Sequence, residues 1–128
     1  MLVLGLALLG LSACGSVGQR GDAASAVAVK LLTAVQAGDG AAACAALAPD
    51  TAAELEKSAE KPCPAAVLEE DLPAPAAVTS ADVYGQRAQV VLADDTVFLA
   101  MFPGGWRVVA AGCFPRADRP YDCTIQGG

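Results

Sequence analysis

Three observations predict an α+β fold, with N-terminal helices packed on a curved antiparallel sheet. Apolar residues recur at helical spacing as far as about residue 71, and then alternate every second position beyond Pro73-Ala74-Pro75. Past that point Gly85-Gln86-Arg87, Asp94-Asp95 and Pro103-Gly104-Gly105 fall at regular intervals between β-prone runs, the pattern of a meander. Helices first and strands after them make a layered design in which the helices cover one face of the sheet.

The elements follow in order. Asp22 is suited to cap a first helix, along which Ala26, Val27, Leu31, Ala34 and Val35 form a stripe until Gly38 stops it. A second helix spans Ala41 to Leu47 and carries Cys44. Pro49-Asp50-Thr51 starts a third, over about 51–60, whose single large apolar residue, Leu55, places it at the surface. Lys61-Pro62-Cys63-Pro64 is a stiff connector into a short fourth helix, Ala65 to Asp71. Strands are expected over 78–84, 88–92, 96–102 and 106–111, with a last one around Cys123 to Ile125.

The stretch before these elements has a different character. Met1 to Gly10 holds no charge. It is shorter than the roughly 20 apolar residues needed to cross a bilayer, but suits the apolar region of a secretory signal. Leu11-Ser12-Ala13-Cys14 closes it and resembles the lipobox of bacterial lipoproteins, although no Lys or Arg precedes the run. The resemblance implies that residues 1–13 are a signal peptide and that Cys14 becomes the lipidated first residue of the mature chain. It places the protein on the extracytoplasmic face of the cell membrane, held by acyl chains. Residues 14–21, rich in Gly and polar groups, read as the lipidated Cys and a flexible spacer. One domain remains, 22–128, a common size for a single unit.

Composition limits what that domain can be. The 128 residues carry a formal net charge of −6, and there is no His. Nucleic acid is a poor partner for such a chain, because phosphates call for Lys and Arg. Aromatic residues are 5% of the chain, so the core is built from small side chains and benefits from covalent staples. With Cys14 set aside, Cys44, Cys63, Cys113 and Cys123 remain, an even number in an exported chain. Three pairings are possible. The local ones, Cys44–Cys63 and Cys113–Cys123, are favoured because each falls within one half of the domain. No metal is expected, since His and any Cys-x-x-Cys pair are missing.

Catalytic signatures are equally sparse. No Gly-x-x-x-x-Gly-Lys, Gly-x-Ser-x-Gly or His-Glu-x-x-His occurs. Asp82, Tyr84 and Arg87 could furnish an acid–base group, but alternation puts Asp82 toward solvent and Val83 toward the core. Asp94-Asp95 and Glu69-Glu70-Asp71 read as solvated acids without calcium-loop spacing. Trp106, the only Trp, is expected to plug the sheet against the first helix, and Tyr121 to cover the disulfide at Cys123. Were the sheet to enclose a pocket, Trp106, Tyr84 and Phe98 would line it.

Several of these residues also bring a family to mind. Gly38-Asp39-Gly40-Ala41-Ala42-Ala43-Cys44, Cys63-Pro64, Gly105-Trp106-Arg107-Val108, Gly112-Cys113 and Pro120-Tyr121-Asp122-Cys123 together resemble small actinobacterial lipoproteins of unknown role. Their domain is similar to the NTF2-like (cystatin-like) cone fold. The resemblance implies a bent sheet that forms a cone and says little about activity, because that fold hosts many functions. The expectation is a non-catalytic accessory or interaction module of the cell envelope, with no cofactor and with an envelope protein as partner. A small apolar ligand held in the cone is the alternative.

Overall fold

A computed structural model describes residues 16–127; the lipobox, including Cys14, lies outside the described residues. The α+β class is observed, with helices followed by one five-stranded antiparallel sheet in the order β1-β2-β3-β4-β5, open at both edges. None of the described helices is long and apolar enough to cross a membrane.

Helix α1 spans Val17–Gln36 and so begins five residues before Asp22. The expected spacer is therefore helical from Val17 onward. The cause is local: Ser16 forms a capping box with Gln19, its hydroxyl accepting from the Gln19 amide at 3.1 Å while Gln19 Oε1 accepts from the Ser16 amide at 3.1 Å. Two otherwise unpaired N–H groups are satisfied there, enough to extend the helix through Gly18 and Gly21 despite their low propensity. Gly21, Ala24, Ala28, Leu31 and Leu32 form the buried stripe. Its small members let the helix approach the sheet closely; a Cβ on Gly21 would lie 3.5 Å from the Cβ of Ala81.

Gly38, at φ +73°, ends α1, and Asp39 caps α2 (Gly40–Ala46) by accepting from the Ala42 amide at 3.1 Å. Gly40 is required sterically, since any Cβ there would collide with the Pro64 carbonyl. Helix α3 (Pro49–Ala59) starts on a proline and ends at Glu60 in the left-handed region. It lies at the surface as expected, with Thr51 and Leu55 buried beneath an otherwise mostly exposed helix, and the Thr51 hydroxyl donates to the Val109 carbonyl at 3.1 Å. One large residue with a satisfied hydroxyl is enough to seat it. The expected fourth helix is shorter: α4 (Cys63–Ala66) passes into a 3₁₀ turn, Val67–Glu69.

The strands are β1 (Val78–Tyr84), β2 (Arg87–Leu92), β3 (Asp95–Phe102), β4 (Gly105–Arg116) and β5 (Arg119–Gln126). The last two run further than expected, because a long hairpin pairs Cys113 with Cys123 and continues to Arg116 and Arg119. Irregular register near Phe98/Leu99 and near Phe114/Arg116, with Gly112 at φ +65°, bends this side of the sheet. Val90, Val97, Leu99 and Val108 from the sheet meet Ala28, Leu31 and Leu32 from α1, all fully buried or nearly so. Trp106 is buried in the same cluster, as expected of the plug.

Candidate functional site

Strand alternation gives the sheet two different faces. Ala88, Val90, Val97 and Leu99 point toward the helices, so Gln89 and Phe98 lie on the opposite face, with Asp82 and Tyr84 of β1 beside them. Tyr84 and Phe98 share a shallow hollow of about 110 Å³ with Arg87 and Gln89. Phe98 packs edge-on against Tyr121, ring centres 5.1 Å apart and planes at 74°, and Gln89 Nε2 donates to the Tyr121 hydroxyl at 3.3 Å. The β4–β5 hairpin thus brings Tyr121 onto this face. Two of the three expected pocket residues, Tyr84 and Phe98, come together here. Trp106 does not; it belongs to the core on the other side, with the Arg20 guanidinium 5.4 Å from its ring centre.

Chemically, the face offers aromatic surface and a few hydrogen-bonding groups. Tyr84 is 66% exposed and Asp82 is exposed beside it. Aromatic rings with polar tips are the side chains best suited to burial against a partner without an enclosed cavity.

Both disulfides join the locally paired cysteines. Cys44–Cys63 ties α2 to α4, with Cα atoms 6.1 Å apart, and Cys113–Cys123 bridges β4 and β5, with Cα atoms 3.9 Å apart. Among the described residues, no three His, Cys, Asp or Glu side chains gather as a metal-holding group.

Asp95 escaped the sequence reading, which took Asp94-Asp95 as a solvated turn. The residue is 6% exposed. Oδ1 accepts from the Cys113 amide at 3.0 Å and Oδ2 from the Gly112 amide at 3.1 Å. Burial pushes its pKa above the ordinary carboxylate value, and the amides of Gly112, Cys113 and Thr96 pull the other way. The sequence did carry a signal. Asp95 is in phase with Val97 and Leu99, so a two-residue turn at Ala93-Asp94 makes it the first inward position of β3. It borders a depression of about 370 Å³ with Thr96, Phe114 and Pro115. Because its two oxygens already accept from backbone amides, the group is placed to hold the bend at Gly112 rather than to exchange a proton with a substrate.

A broader open depression, about 650 Å³, runs along the outward flank of α1 between Asp22, Val29, Lys30, Thr33 and Asp39. It lies outside the helix, not inside a cone. Compared with protein-family models, with curated proteins and with solved structures, the chain finds no match in any of the three.

Proposed function

We propose that this chain is a lipid-anchored, extracytoplasmic and non-catalytic recognition module of the cell envelope, built on an NTF2-like domain. It presents the outer face of its sheet to a partner protein. The observation that carries this reading is the contrast between a filled interior and an aromatic outer face. Leu31, Leu99, Trp106 and Val108 occupy the space between helices and sheet, where a ligand cavity would have to be. Tyr84, Phe98, Gln89 and Tyr121 are grouped on the other side. The lipobox-like Leu11-Ser12-Ala13-Cys14 and the paired cysteines support export to an oxidising compartment.

The test is a photo-crosslinking amino acid at Asp82, on this face, against the same group at the exposed Ser58 of α3. A discrete protein adduct from position 82 alone is expected in intact envelopes. Identical adducts from both positions, or none from 82, would overturn the reading.

A second reading has its own observation. The depression along α1 is open and lined partly by Ala26, Val29, Ala34 and Ala37, a surface on which a small apolar ligand could lie. Saturable binding of an apolar fluorophore, abolished by Val29→Asp, would favour it over the protein partner.

A further inference from the structure

We infer that the end of the domain formed by the start of α1 and the β1–β2 and β3–β4 turns rests against the lipid headgroups, so that the anchor fixes an orientation. This deepens the lipid-anchored reading and rests on it. Little spacer separates the anchor from the domain. Helix α1 starts at Val17 and is capped by Ser16, which leaves three residue steps between Cys14 and the first helical residue. Even fully extended, three steps reach about 10 Å. The headgroup layer of one leaflet is itself about 5–8 Å deep. A domain on so short a leash cannot stand clear of the surface, and only the parts near the α1 N-terminus can touch it.

Those parts are identifiable. Arg20 Nη2 donates to the Gly85 carbonyl at 2.6 Å, which places the β1–β2 turn beside the first turns of α1. The same guanidinium lies 5.4 Å from the ring of Trp106, which follows the Pro103-Gly104 turn between β3 and β4. The exposed Val17 and Tyr84 belong to this end, at 69% and 66% exposure. Arg87 pairs with Tyr84 across the turn and is exposed. Among the described residues neither Arg20 nor Arg87 makes a salt bridge; the one pair present joins Lys61 to Glu69.

A tyrosine, an exposed valine and two arginines without a carboxylate partner, Arg87 exposed and Arg20 half-buried, suit the boundary layer of an anionic bilayer, in a chain whose formal net charge is −6. The opposite end of the sheet carries Asp94 at the β2–β3 turn and, at the β4–β5 turn, Asp118 between the exposed Arg116 and Arg119, so its basic groups are offset by acids. With this end down, the strands rise from the membrane, and the face bearing Phe98 and Tyr121 looks sideways, toward a neighbour seated on the same bilayer.

The test uses the protein isolated from membranes, with mass spectrometry first reporting the lipid on Cys14, and phosphatidylglycerol vesicles as the surface. Amide exchange at Gly85, Gln86 and Gly104 is expected to slow severalfold on vesicles relative to detergent, with Asp94 unchanged. Tyr84→Ser combined with Arg87→Glu, both exposed positions, should remove most of that slowing. A lipidated protein in which both ends exchange alike, or in which the Asp94 end is the protected one, overturns the orientation and leaves the anchor standing. So does full slowing retained by the double variant. A Cys14 without lipid overturns the anchor itself.

Discussion

The two faces of the sheet are built from the same strands, yet one is crowded and the other open. On the helix side Val90, Val97, Leu99 and Val108 are completely buried, matched to Ala24, Ala28, Leu31 and Leu32. On the far side the alternate positions of the same strands are Asp82, Tyr84, Gln89 and Phe98, of which Asp82 and Tyr84 are exposed. A chain with so few aromatic residues sets just one ring, Trp106, in its core and places Tyr84, Phe98 and Tyr121 on the outward side. Stability is therefore concentrated on one face, and the other is left free to be shaped by what it contacts.

Mutation should make that asymmetry measurable. The largest single effect is expected at Leu99→Ala, which empties a fully buried position and should lower unfolding free energy by about 3–4 kcal/mol in denaturant titration. A loss below about 1 kcal/mol would mean that the core collapses around the gap, so that the inner face is less tightly specified than its burial implies. Next come the staples. Closing loops with separations of 19 and 10 residues stabilises through the unfolded chain by about 3.2 and about 2.7 kcal/mol. Cys44→Ser with Cys63→Ser should thus cost slightly more than Cys113→Ser with Cys123→Ser. The reverse order would show that the hairpin bridge holds native geometry beyond loop closure. Thiol titration of the unfolded protein should find all four of these cysteines only after reduction.

Much of this contrast was legible in the sequence, and what was not has physical causes. Helical spacing and the Pro73-Ala74-Pro75 break located the change of layer, and period-two alternation gave the facing of Asp82 and Val83. The local cysteine pairs followed from simple proximity. The start of α1 was misplaced because Gly18 and Gly21 look like linker, whereas a reciprocal cap at Ser16 and Gln19 and close packing on Ala81 outweigh their propensity. Leu55 as the single large apolar residue places α3 at the surface, where it lies; the Thr51 hydroxyl bonded to the Val109 carbonyl, which helps to seat it, is invisible to an apolar count. The meeting of Tyr121 with Phe98 depends on how far the β4–β5 hairpin bends, and no local pattern encodes that. For the cone expected from family resemblance, an open sheet of five strands is what is observed.

Asp95 sharpens the comparison, because it is an acid on the crowded side. Its folded pKa is raised above the ordinary 3.8 by burial, so between those two values the native state binds more protons than the unfolded one. The stability it contributes is greatest below that ordinary, unfolded-state value and falls as pH rises through the folded value. Asp95→Asn removes this dependence. The stability difference, wild type minus variant, should therefore decline from acid toward neutral pH in parallel denaturant titrations. At neutral pH the variant still loses an acceptor for the Gly112 or Cys113 amide. A difference that grows with pH would mean that the two amide bonds outweigh desolvation, reversing the direction of the shift.

The smallest expected effect lies on the open face, and it is the one that separates structure from recognition there. Phe98 and Tyr121 touch edge to face, and Tyr121 also accepts from Gln89. A double-mutant cycle with Phe98→Ala and Tyr121→Ala should give a coupling of about 0.5–1.5 kcal/mol, the range for such aromatic pairs. Tyr121→Phe, which keeps the ring and removes only the hydroxyl, should cost about 0.5–1 kcal/mol because the Gln89 bond is partly solvated. Exposed Tyr84, with no partner of this kind, should tolerate Tyr84→Ser within about 0.5 kcal/mol. If Tyr84→Ser is neutral for folding yet reduces the crosslinked adduct formed from position 82, the ring is spent on the partner rather than on the fold. If it destabilises by more than the Phe98–Tyr121 coupling, the outer face is part of the protein's own packing, and the distinction between the two sides of the sheet disappears.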